Sequence, residues 1–213
     1  MPSREPALYV PSVFRETETT RLFEIIERYS FATLVTATAE GPLVSHIPFS
    51  LDRERGERGT LYGHVARANP HWRYLEPGSG TRVIFTGPHA YVSPSWYVPS
   101  PDNVPTWNYA VVHATGQVKL LADGRATLQI LKRLVEAHES RSDSAYTVNV
   151  DDPVLQGVAK GVVAFELQVT ELEGKFKLSQ NRPELDRLSV VKQLGANADP
   201  AIREVAELMR RLD

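Results

Sequence analysis

The chain has 213 residues, a formal net charge of −2 and no cysteine. The length fits one large domain or a domain with an appendage, and the lack of cysteine excludes disulfides, thiolate zinc sites, iron–sulfur clusters and a cysteine nucleophile. The near-neutral charge gives no strong field for nucleic acid or anionic lipid, and no apolar run approaches the roughly 20 residues of a membrane span. Because residues 1–17 also lack the apolar core of a signal peptide, we predict a cytoplasmic protein that does not bind membranes.

The N-terminal part of the chain changes from helical to strand-like periodicity. Residues 21–29 place Leu22, Ile25, Ile26 and Tyr29 at helical spacing. The runs that follow predict three strands, separated by a glycine turn and by a charged hairpin tip that contains glycines. The predicted strands are residues 31–39, 42–51 and 60–66, and the tip is residues 52–59.

The middle of the chain alternates short helices with further strands. Asn69 caps a short helix that has Pro70 at its first position. Residues 81–87 form a strand, and the aromatic-rich residues 86–116 supply two more strands around a long loop. Asp123 starts a helix and Asp152-Pro153 starts a shorter one, before a long strand. The inward residues of the longer helix are Leu128, Leu131, Leu134 and Val135, and the long strand covers residues 161–174.

Two helices are predicted at the end of the chain. One runs near 184–194, with Leu185, Leu188, Val191 and Leu194 inward. The other runs from Asp199-Pro200 to Leu212, with Ile202, Val205, Ala206 and Met209 inward. Short turns between the strands favour antiparallel pairing, so we predict a mainly β fold with helices (α+β). A six- or seven-stranded antiparallel sheet, closed into a barrel, forms a domain over residues 1–181, and a helical pair over 182–213 packs on it.

The common catalytic and nucleotide-binding motifs do not occur in this sequence. Neither a dinucleotide-binding GxGxxG nor a phosphate-binding GxxxxGK[ST] loop is found. The six histidines form no HExxH pair, and no carboxylate lies at metal-ligand spacing beside two of them, so we predict no metal site. The residue types of a Ser-His-Asp triad are present without the GxSxG elbow.

A strand interrupted by proline is the first of three stretches that suit a ligand. In "VSHIPFSL" (44–51), Pro48 cannot donate a ladder hydrogen bond, so this strand is an edge strand or is interrupted there. The backbone groups of Ser45, His46 and Ile47 are then free to meet the edge of a ligand. The alternative is a plain edge strand with His46 on its solvent face.

The second stretch combines a guanidinium with a helix start. In "GHVARANPHW" (63–72), a strand end delivers His64 and Arg67 toward a helix capped by Asn69. Free N–H groups and an arginine together suit an anion. The alternative is an ordinary capped helix with a surface arginine.

The third stretch, "KFKLSQNR" (175–182), has two lysines that alternate on one strand face. Directly after them come hydroxyl, amide and guanidinium groups suited to phosphate and polar ring edges: Ser179, Gln180, Asn181 and Arg182. The alternative is a strand end with solvated cations.

Together these stretches call for a ligand with an anionic end, a flat apolar body and a polar rim, and flavin mononucleotide (FMN) fits that description. The aromatic residues of 86–116 would supply a wall facing the ring, with Trp107, Asn108 and Tyr109 on one rim. Alternatively, these aromatics fill a barrel core and a dimer interface. Both interpretations can hold at once.

Several of these motifs resemble a known family. The motifs "LYVPSVF" (8–14), "SHIPF", "GHVARANPHW", "GPHAYVSPSWY" (87–97), "VPTWNYAVVHATG" (104–116) and "KFKLSQNRP" (175–183) are similar to the FMN-binding negative transcriptional regulators typified by PaiB. The resemblance covers the chain from about residue 7 to its end. It implies an FMN-binding split barrel that forms homodimers, with the flavin between subunits.

The resemblance also implies which residues contact FMN. The backbone of Ser45, His46 and Ile47 would lie along the flavin edge. Groups near the phosphate would be His64, Val65, Arg67 and Asn69. The pocket would be completed by Trp107, Asn108, Lys177, Ser179, Gln180 and Asn181.

Three functions follow from these expectations. The first, implied by the family, is a dimeric FMN-binding protein with a role in transcriptional regulation. Direct DNA contact stays open but is not favoured by charge, because residues 182–213 carry six basic and six acidic side chains. The second is a flavin-dependent oxidoreductase, with His46, His89 and Tyr109 as acid–base candidates. The third is a haem-binding or haem-degrading split barrel that uses His64, His89 or His113.

Overall fold

The computed structural model describes residues 8–121, 123–139 and 146–212. Within them lie eight strands, five α-helices and three short 3-10 helices. The strands are β1 (Arg15–Glu16), β2 (Phe31–Thr38), β3 (Gly41–Pro48), β4 (Ser50–Asp52), β5 (Thr60–Ala66), β6 (Arg82–Val92), β7 (Thr106–Leu121) and β8 (Val162–Lys177). The helices are α1 (Thr19–Arg28), α2 (Gly124–Glu139), α3 (Pro153–Ala159), α4 (Glu184–Gly195) and α5 (Pro200–Arg210), and the 3-10 helices are Ser12–Phe14, Pro70–Tyr74 and Pro94–Trp96.

The strands pair in the order β3-β2-β6-β7-β8-β5-β4, and β1 adds to β8. In β2, Thr33 lies opposite His46 on one side and Ile84 on the other, both in antiparallel register. In β5, His64 lies opposite Ala164 of β8. Strand β3 ends the order, which confirms that the strand containing Pro48 is an edge strand.

The chain divides into two compact units. Residues 8–25, 86–112 and 173–212 belong to unit 1, and the other described residues, within 26–85 and 113–172, belong to unit 2. Each of the three longest strands, β6, β7 and β8, has one part in unit 1 and the other part in unit 2. The predicted boundary after residue 181 stays a prediction. No helix within the described ranges is long and apolar enough to cross a membrane.

The core of unit 2 is built on three phenylalanines. Phe49 packs edge-on against Phe85 and Phe165, with ring centroids 5.9 and 6.1 Å apart. A Cβ atom on Gly63 would lie 3.0 Å from the Phe49 ring and 3.1 Å from the Phe165 ring. Only glycine therefore lets β5 approach this aromatic cluster without moving it.

The core of unit 1 is formed by the two ends of the chain. Leu22 of α1 and Val205, Ala206 and Met209 of α5 are buried, which confirms three of the four inward residues predicted for α5; the fourth, Ile202, is half-buried. A Cβ atom on Gly174 would lie 2.2 Å from Leu22 Cδ2. This glycine is therefore required for the close approach of α1 to β8.

The predicted inward face of α4 is wrong for two of its four residues. Leu185 and Leu188 are 70% and 53% exposed, whereas Val190 and Asp186 are buried along with Leu194. Apolar residues occur on more than one side of this helix, so periodicity alone could not select the buried face. The orientation of α4 is fixed by Asp186, whose Oδ1 accepts a 2.8 Å hydrogen bond from the backbone N–H of Val98.

Two strand boundaries also differ from the prediction. The strand predicted over 42–51 divides at Phe49 into β3 and β4, since the Phe49 N–H donates to the carbonyl of Ser30. The strand predicted over 81–87 continues to Val92, so β6 includes the start of the aromatic stretch. With the two-residue β1, these changes give eight described strands instead of six or seven.

Candidate functional site

A chain of hydrogen bonds, buried except at Asn69, joins two of the predicted site residues in unit 2. Asn69 Nδ2 donates to Ser45 Oγ over 3.0 Å, and Ser45 Oγ lies 2.8 Å from His71 Nδ1. His71 Nε2 lies 3.0 Å from Thr36 Oγ1, which is 2.8 Å from Thr81 Oγ1. The edge strand β3 is thereby tied to the turn that carries Asn69.

The hydrogen-bonding capacity of each group sets the direction of this chain. The Asn69 amide nitrogen can only donate, so the best use of the Ser45 hydroxyl is to accept from it and donate to His71 Nδ1. His71 then carries its proton on Nε2 and donates to Thr36. Burial lowers the pKa of His71, which favours this neutral form.

The side chains of the three predicted edge residues of β3 differ in their exposure to solvent. Ser45 and Ile47 are buried, whereas His46 is exposed and its Nδ1 lies 3.1 Å from Thr33 Oγ1. Since β3 ends the strand order, its outer backbone groups have no strand partner in the described ranges. Contact of these residues with a ligand would therefore be made by backbone groups and by His46.

Two histidines of unit 2 have buried ring nitrogens that lack a partner among the described residues. They are His64, on β5, and His113, on β7, in each case at Nδ1. Burial lowers the pKa of His64, and burial together with the charge of Arg82 lowers the pKa of His113 to about 4. Both rings are therefore neutral at physiological pH. Val65, beside His64, is buried in the core.

Arg67 is exposed, and its guanidinium makes two hydrogen bonds to backbone carbonyls. Nε donates to the carbonyl of Lys160 over 2.7 Å, and Nη2 donates to that of Val162 over 3.1 Å. Trp72 Nε1 donates to the carbonyl of Arg67 itself over 3.0 Å. Arg67 thus fixes the segment before β8 and still presents a positive charge at the surface.

The helix expected after Asn69 is a five-residue 3-10 helix, Pro70–Tyr74. The predicted cap is confirmed, because Asn69 Oδ1 accepts from the His71 N–H over 3.0 Å. Such a short helix has no substantial dipole, so the expected attraction of an anion to its N-terminus is not supported. Arg67 is the cationic group that remains beside it.

In unit 1, Asn108 and Ser179 form a buried polar pair. Asn108 Nδ2 donates to Ser179 Oγ over 2.9 Å and reaches Met209 Sδ at 3.4 Å, while Ser179 Oγ lies 3.2 Å from Asn108 Oδ1. Ser179 has a φ of 67°, the only positive φ of a non-glycine residue within the described ranges. The pair holds this unfavourable backbone in place directly after β8.

Lys177 lies among aromatic rings and other cations. Its Nζ donates to Thr106 Oγ1 over 2.6 Å and to the carbonyl of Trp107 over 2.8 Å. Burial, then the charges of Lys175 and Arg182, lower its pKa. Neither lysine has a carboxylate partner among the described residues. Both lysines line a cavity of about 380 Å³. The other lining residues are Tyr9, Pro11, Phe14, Thr106, Trp107 and Tyr109.

The remaining predicted residues of unit 1 differ in how accessible they are. Gln180 folds back on β8, accepting from the Leu178 N–H over 2.7 Å and donating to the carbonyl of Phe176. Asn181 is exposed. Trp107 is 53% exposed, and its ring contacts those of His89 and Tyr91. Gln180 therefore shapes the turn, whereas Trp107 and Asn181 are accessible to a ligand.

Sequence reasoning gave no site role to His71, and it noted Lys175 only as one of two alternating lysines without placing it among the FMN contacts. His71 connects Ser45 to Thr36, but a single histidine after a cap has no pattern that predicts its partners. Lys175 lies 5.3 Å from the ring of Tyr9 and 5.6 Å from that of Tyr109. Its alternation with Lys177 was the signal that it belongs to the same group. Within the described residues, no cluster of three or more His, Asp or Glu could hold a metal.

Comparison with known proteins decides the family. Residues 8–171 match the family described as "Putative FMN-binding domain". The chain belongs to this FMN-binding domain family. The match confirms FMN as the predicted cofactor, and the predicted likeness to PaiB is confirmed by a relative from Bacillus subtilis (strain 168). That relative, "Protease synthase and sporulation protein PAI 2", is 33% identical over 202 residues, which cover 95% of this chain and 96% of the relative.

Two solved structures share the fold of this chain. The FAD and heme binding protein from Mycobacterium smegmatis superposes with a TM-score of 0.60 at 16% identity, covering 83% of this chain and 79% of that one. The flavocytochrome Anf3 from Azotobacter vinelandii superposes with a TM-score of 0.56 at 16% identity, covering 76% and 69%. The predicted α+β fold, an antiparallel split barrel with helices, is confirmed.

The residues present in each unit fit the chemistry of FMN. Unit 2 offers the unpaired edge of β3, an unpartnered nitrogen on His64, and the charge of Arg67. Unit 1 offers two lysines without carboxylate partners among the described residues, one beside the exposed ring of Tyr9 and the other beside the buried ring of Phe14. Backbone groups suit the polar edge of a flavin, cations suit its phosphate, and aromatic rings suit its flat face.

Proposed function

We propose that this member of the FMN-binding domain family is a homodimer that binds FMN through the edge of β3 and Arg67 and has a regulatory role. The observation that carries the proposal is the 3.0 Å hydrogen bond from Asn69 to Ser45. It ties the free edge of β3 to the turn that follows Arg67. A polar edge and a cation are thus available on one unit for one ligand.

Each unit 2 residue has a distinct proposed task. The backbone of Ser45, His46 and Ile47 hydrogen-bonds the polar edge of the flavin ring. Arg67 binds the phosphate. Asn69 acts as a positioning residue, because both ends of its amide are already bonded within the protein. Of the other two predicted contacts, His64 can bond a ligand through its unpartnered Nδ1, whereas buried Val65 can contribute only its backbone.

The unit 1 residues are proposed as further flavin contacts in the assembled dimer. Lys177 supplies charge, and Trp107 and Asn181 supply exposed surface. Asn108, Ser179 and Gln180 are bonded to one another or to backbone, so we assign them the task of shaping the turn after β8. Bound FMN would supply redox chemistry, and the protein would bind and orient it.

Exposed aromatic surface on unit 1 supports the homodimer. Tyr91 and Trp107 are 47% and 53% exposed, and their rings meet edge-to-face at 6.0 Å. Aromatic residues are enriched at the centre of protein interfaces. The surface defined by His89, Tyr91 and Trp107, here named the aromatic patch, is the proposed contact between two copies.

A regulatory role is supported by the name of the B. subtilis relative, "Protease synthase and sporulation protein PAI 2", which refers to sporulation. The charge of the chain does not favour direct DNA binding, since affinity for DNA comes largely from neutralised phosphates. We therefore propose that regulation is exerted through a partner protein or a metabolite. We expect weak binding of DNA by the isolated protein at physiological salt.

A haem-binding protein or a flavin-dependent oxidoreductase is the second candidate. The observation that favours it is the pair of neutral histidines with unpartnered Nδ1 atoms, His64 and His113. A neutral imidazole nitrogen can ligate haem iron or exchange a proton with a reduced flavin. Two structural neighbours are described as a flavocytochrome and as an FAD and heme binding protein.

A visible spectrum of the purified protein distinguishes FMN binding from haem binding. FMN binding predicts bands near about 370 and about 450 nm after FMN is added and excess removed, with one flavin per chain. A Soret band near about 400 nm would instead indicate haem. A protein that retains no flavin after FMN incubation would contradict the proposed function.

A further inference from the structure

A second cavity, of about 890 Å³, lies within unit 2. Leu121, Leu128 and Val163 supply apolar wall, and Trp72 supplies an aromatic ring. A volume of this size suits a small organic molecule rather than a few waters. None of these four residues entered the sequence-based FMN site.

The charges around this cavity are unbalanced. Arg67, Arg125 and Lys160 line it, against one acidic residue, Asp151. Arg67 is held by two carbonyls, and no ion pair to a carboxylate is formed by Arg125 or Lys160 within the described ranges. Three cations beside a single carboxylate leave an excess of positive charge around the cavity, and a bound anion would offset it.

We propose that this cavity, which borders the proposed FMN site at Arg67, is a second binding site for a small aromatic or aliphatic anion such as a carboxylate or a phosphate monoester. Arg125 and Lys160 bind the charged end. Trp72 and the apolar wall contact the body of the ligand. Arg67 holds the backbone of Lys160 and Val162 in place through its two hydrogen bonds. The inference does not depend on the proposed function, because Arg125, Lys160 and the apolar wall have no part in the proposed FMN site.

Phenyl phosphate and its neutral analogue benzyl alcohol are suitable probes. Isothermal titration with the full chain at low salt should show one phenyl phosphate per chain, and binding should weaken as salt rises. Benzyl alcohol should bind at least tenfold more weakly, because it lacks the anion. The fluorescence of Trp72 should change on binding, and this change should be lost in Trp72→Phe.

Variants at the exposed cations test the site without disturbing the core. Arg125→Gln and Lys160→Gln should each lower the affinity for phenyl phosphate about tenfold. Lys132→Gln is the matched control: it removes one positive charge from α2, and Lys132 pairs with Glu136 outside the cavity lining. The control should bind phenyl phosphate as the unmodified protein does, and circular dichroism should be unchanged for all three variants.

Four results would overturn the proposal. The first is equal affinity for benzyl alcohol and phenyl phosphate. The second is equal binding by Arg125→Gln, Lys160→Gln and Lys132→Gln. The third is displacement of phenyl phosphate by FMN together with loss of FMN binding in Arg125→Gln, which would make the cavity the flavin site. Normal FMN binding by a protein without phenyl phosphate affinity would reject this inference and leave the proposed function intact.

Discussion

Ser45 Oγ lies 2.8 Å from His71 Nδ1, and this contact places a buried imidazole directly behind the free edge of strand β3. The other nitrogen of the same ring reaches Thr36 on β2. One side chain therefore links the edge strand, its neighbouring strand and the Pro70–Tyr74 turn. We conclude that His71 is a positioning residue for the proposed flavin edge.

Replacement of His71 by leucine should lower the free energy of unfolding by about 2–6 kcal/mol. The substitution leaves the Ser45 and Thr36 hydroxyls each short of a buried partner, at about 1–3 kcal/mol apiece. Urea unfolding measures the loss. His138→Leu is the control, because His138 is exposed on α2, and it should change stability by less than about 0.5 kcal/mol. Equal effects from the two substitutions would contradict the assigned network.

Stability should fall as the pH is lowered from about 6.5 toward 4. Burial lowers the pKa of His64 and His71, and burial with the charge of Arg82 lowers that of His113 to about 4. In the unfolded chain these groups titrate near about 6.5, so below that pH the unfolded state binds more protons than the folded state. The stabilisation is fully present above about pH 6.5.

Urea unfolding at pH 7.5, 6.0 and 5.0 tests this dependence. His113→Leu should show a shallower decline than the unmodified chain, since one titrating group is removed. A control substitution at exposed His138 should leave the slope unchanged. Constant or rising stability from pH 7.5 to 5.0 would be incompatible with the lowered pKa values.

Replacement of Ser179 by glycine should destabilise the protein less than replacement by alanine. Both substitutions remove the hydrogen bonds to Asn108, but only glycine adopts a φ of 67° without a steric penalty of about 1 kcal/mol. Ser179→Gly should therefore be more stable than Ser179→Ala by roughly 1 kcal/mol, with both below the unmodified protein. At Ser95, which has no positive φ, the order should reverse. The same order at both sites would show that backbone strain at Ser179 is not the cause.

The homodimer prediction is tested at the aromatic patch. Light scattering at micromolar concentration should give twice the chain mass of 23.8 kDa. Trp107→Glu should give the mass of one chain, because a charge at a desolvated interface is strongly unfavourable. Leu185→Glu alters a residue that is 70% exposed outside the patch and should remain dimeric. A single-chain mass for the unmodified protein would reject the dimer.

Sequence reasoning worked best where one physical signal dominated. Helix α5 has a single apolar side, so Val205, Ala206 and Met209 were correctly placed inward. Helix α4 has apolar residues on several sides, and a distant contact between Asp186 and Val98 decided its orientation. Contacts of that kind join positions far apart in the chain, so a local pattern does not contain them.

The same limit applies to the candidate site. Pro48 marked the edge strand and Asn69 marked the cap, and the structure has both. Their connection through Ser45 and His71 depends on how β3 meets the Pro70–Tyr74 turn. The carbonyl contacts of Arg67 likewise come from a segment more than 90 residues away in sequence. Residue types could be predicted, but their partners could not.

The most direct test of the account compares FMN with riboflavin, which lacks the phosphate, on the unmodified protein and on Arg67→Ala. Fluorescence titration should show FMN binding more tightly than riboflavin. Arg67→Ala should lower the affinity for FMN by about ten- to a hundred-fold, because a charge-assisted hydrogen bond to phosphate contributes roughly 1.5–3 kcal/mol. The affinity for riboflavin should fall much less. Equal loss of both flavins, or no loss of either, would contradict the assignment of the phosphate to Arg67.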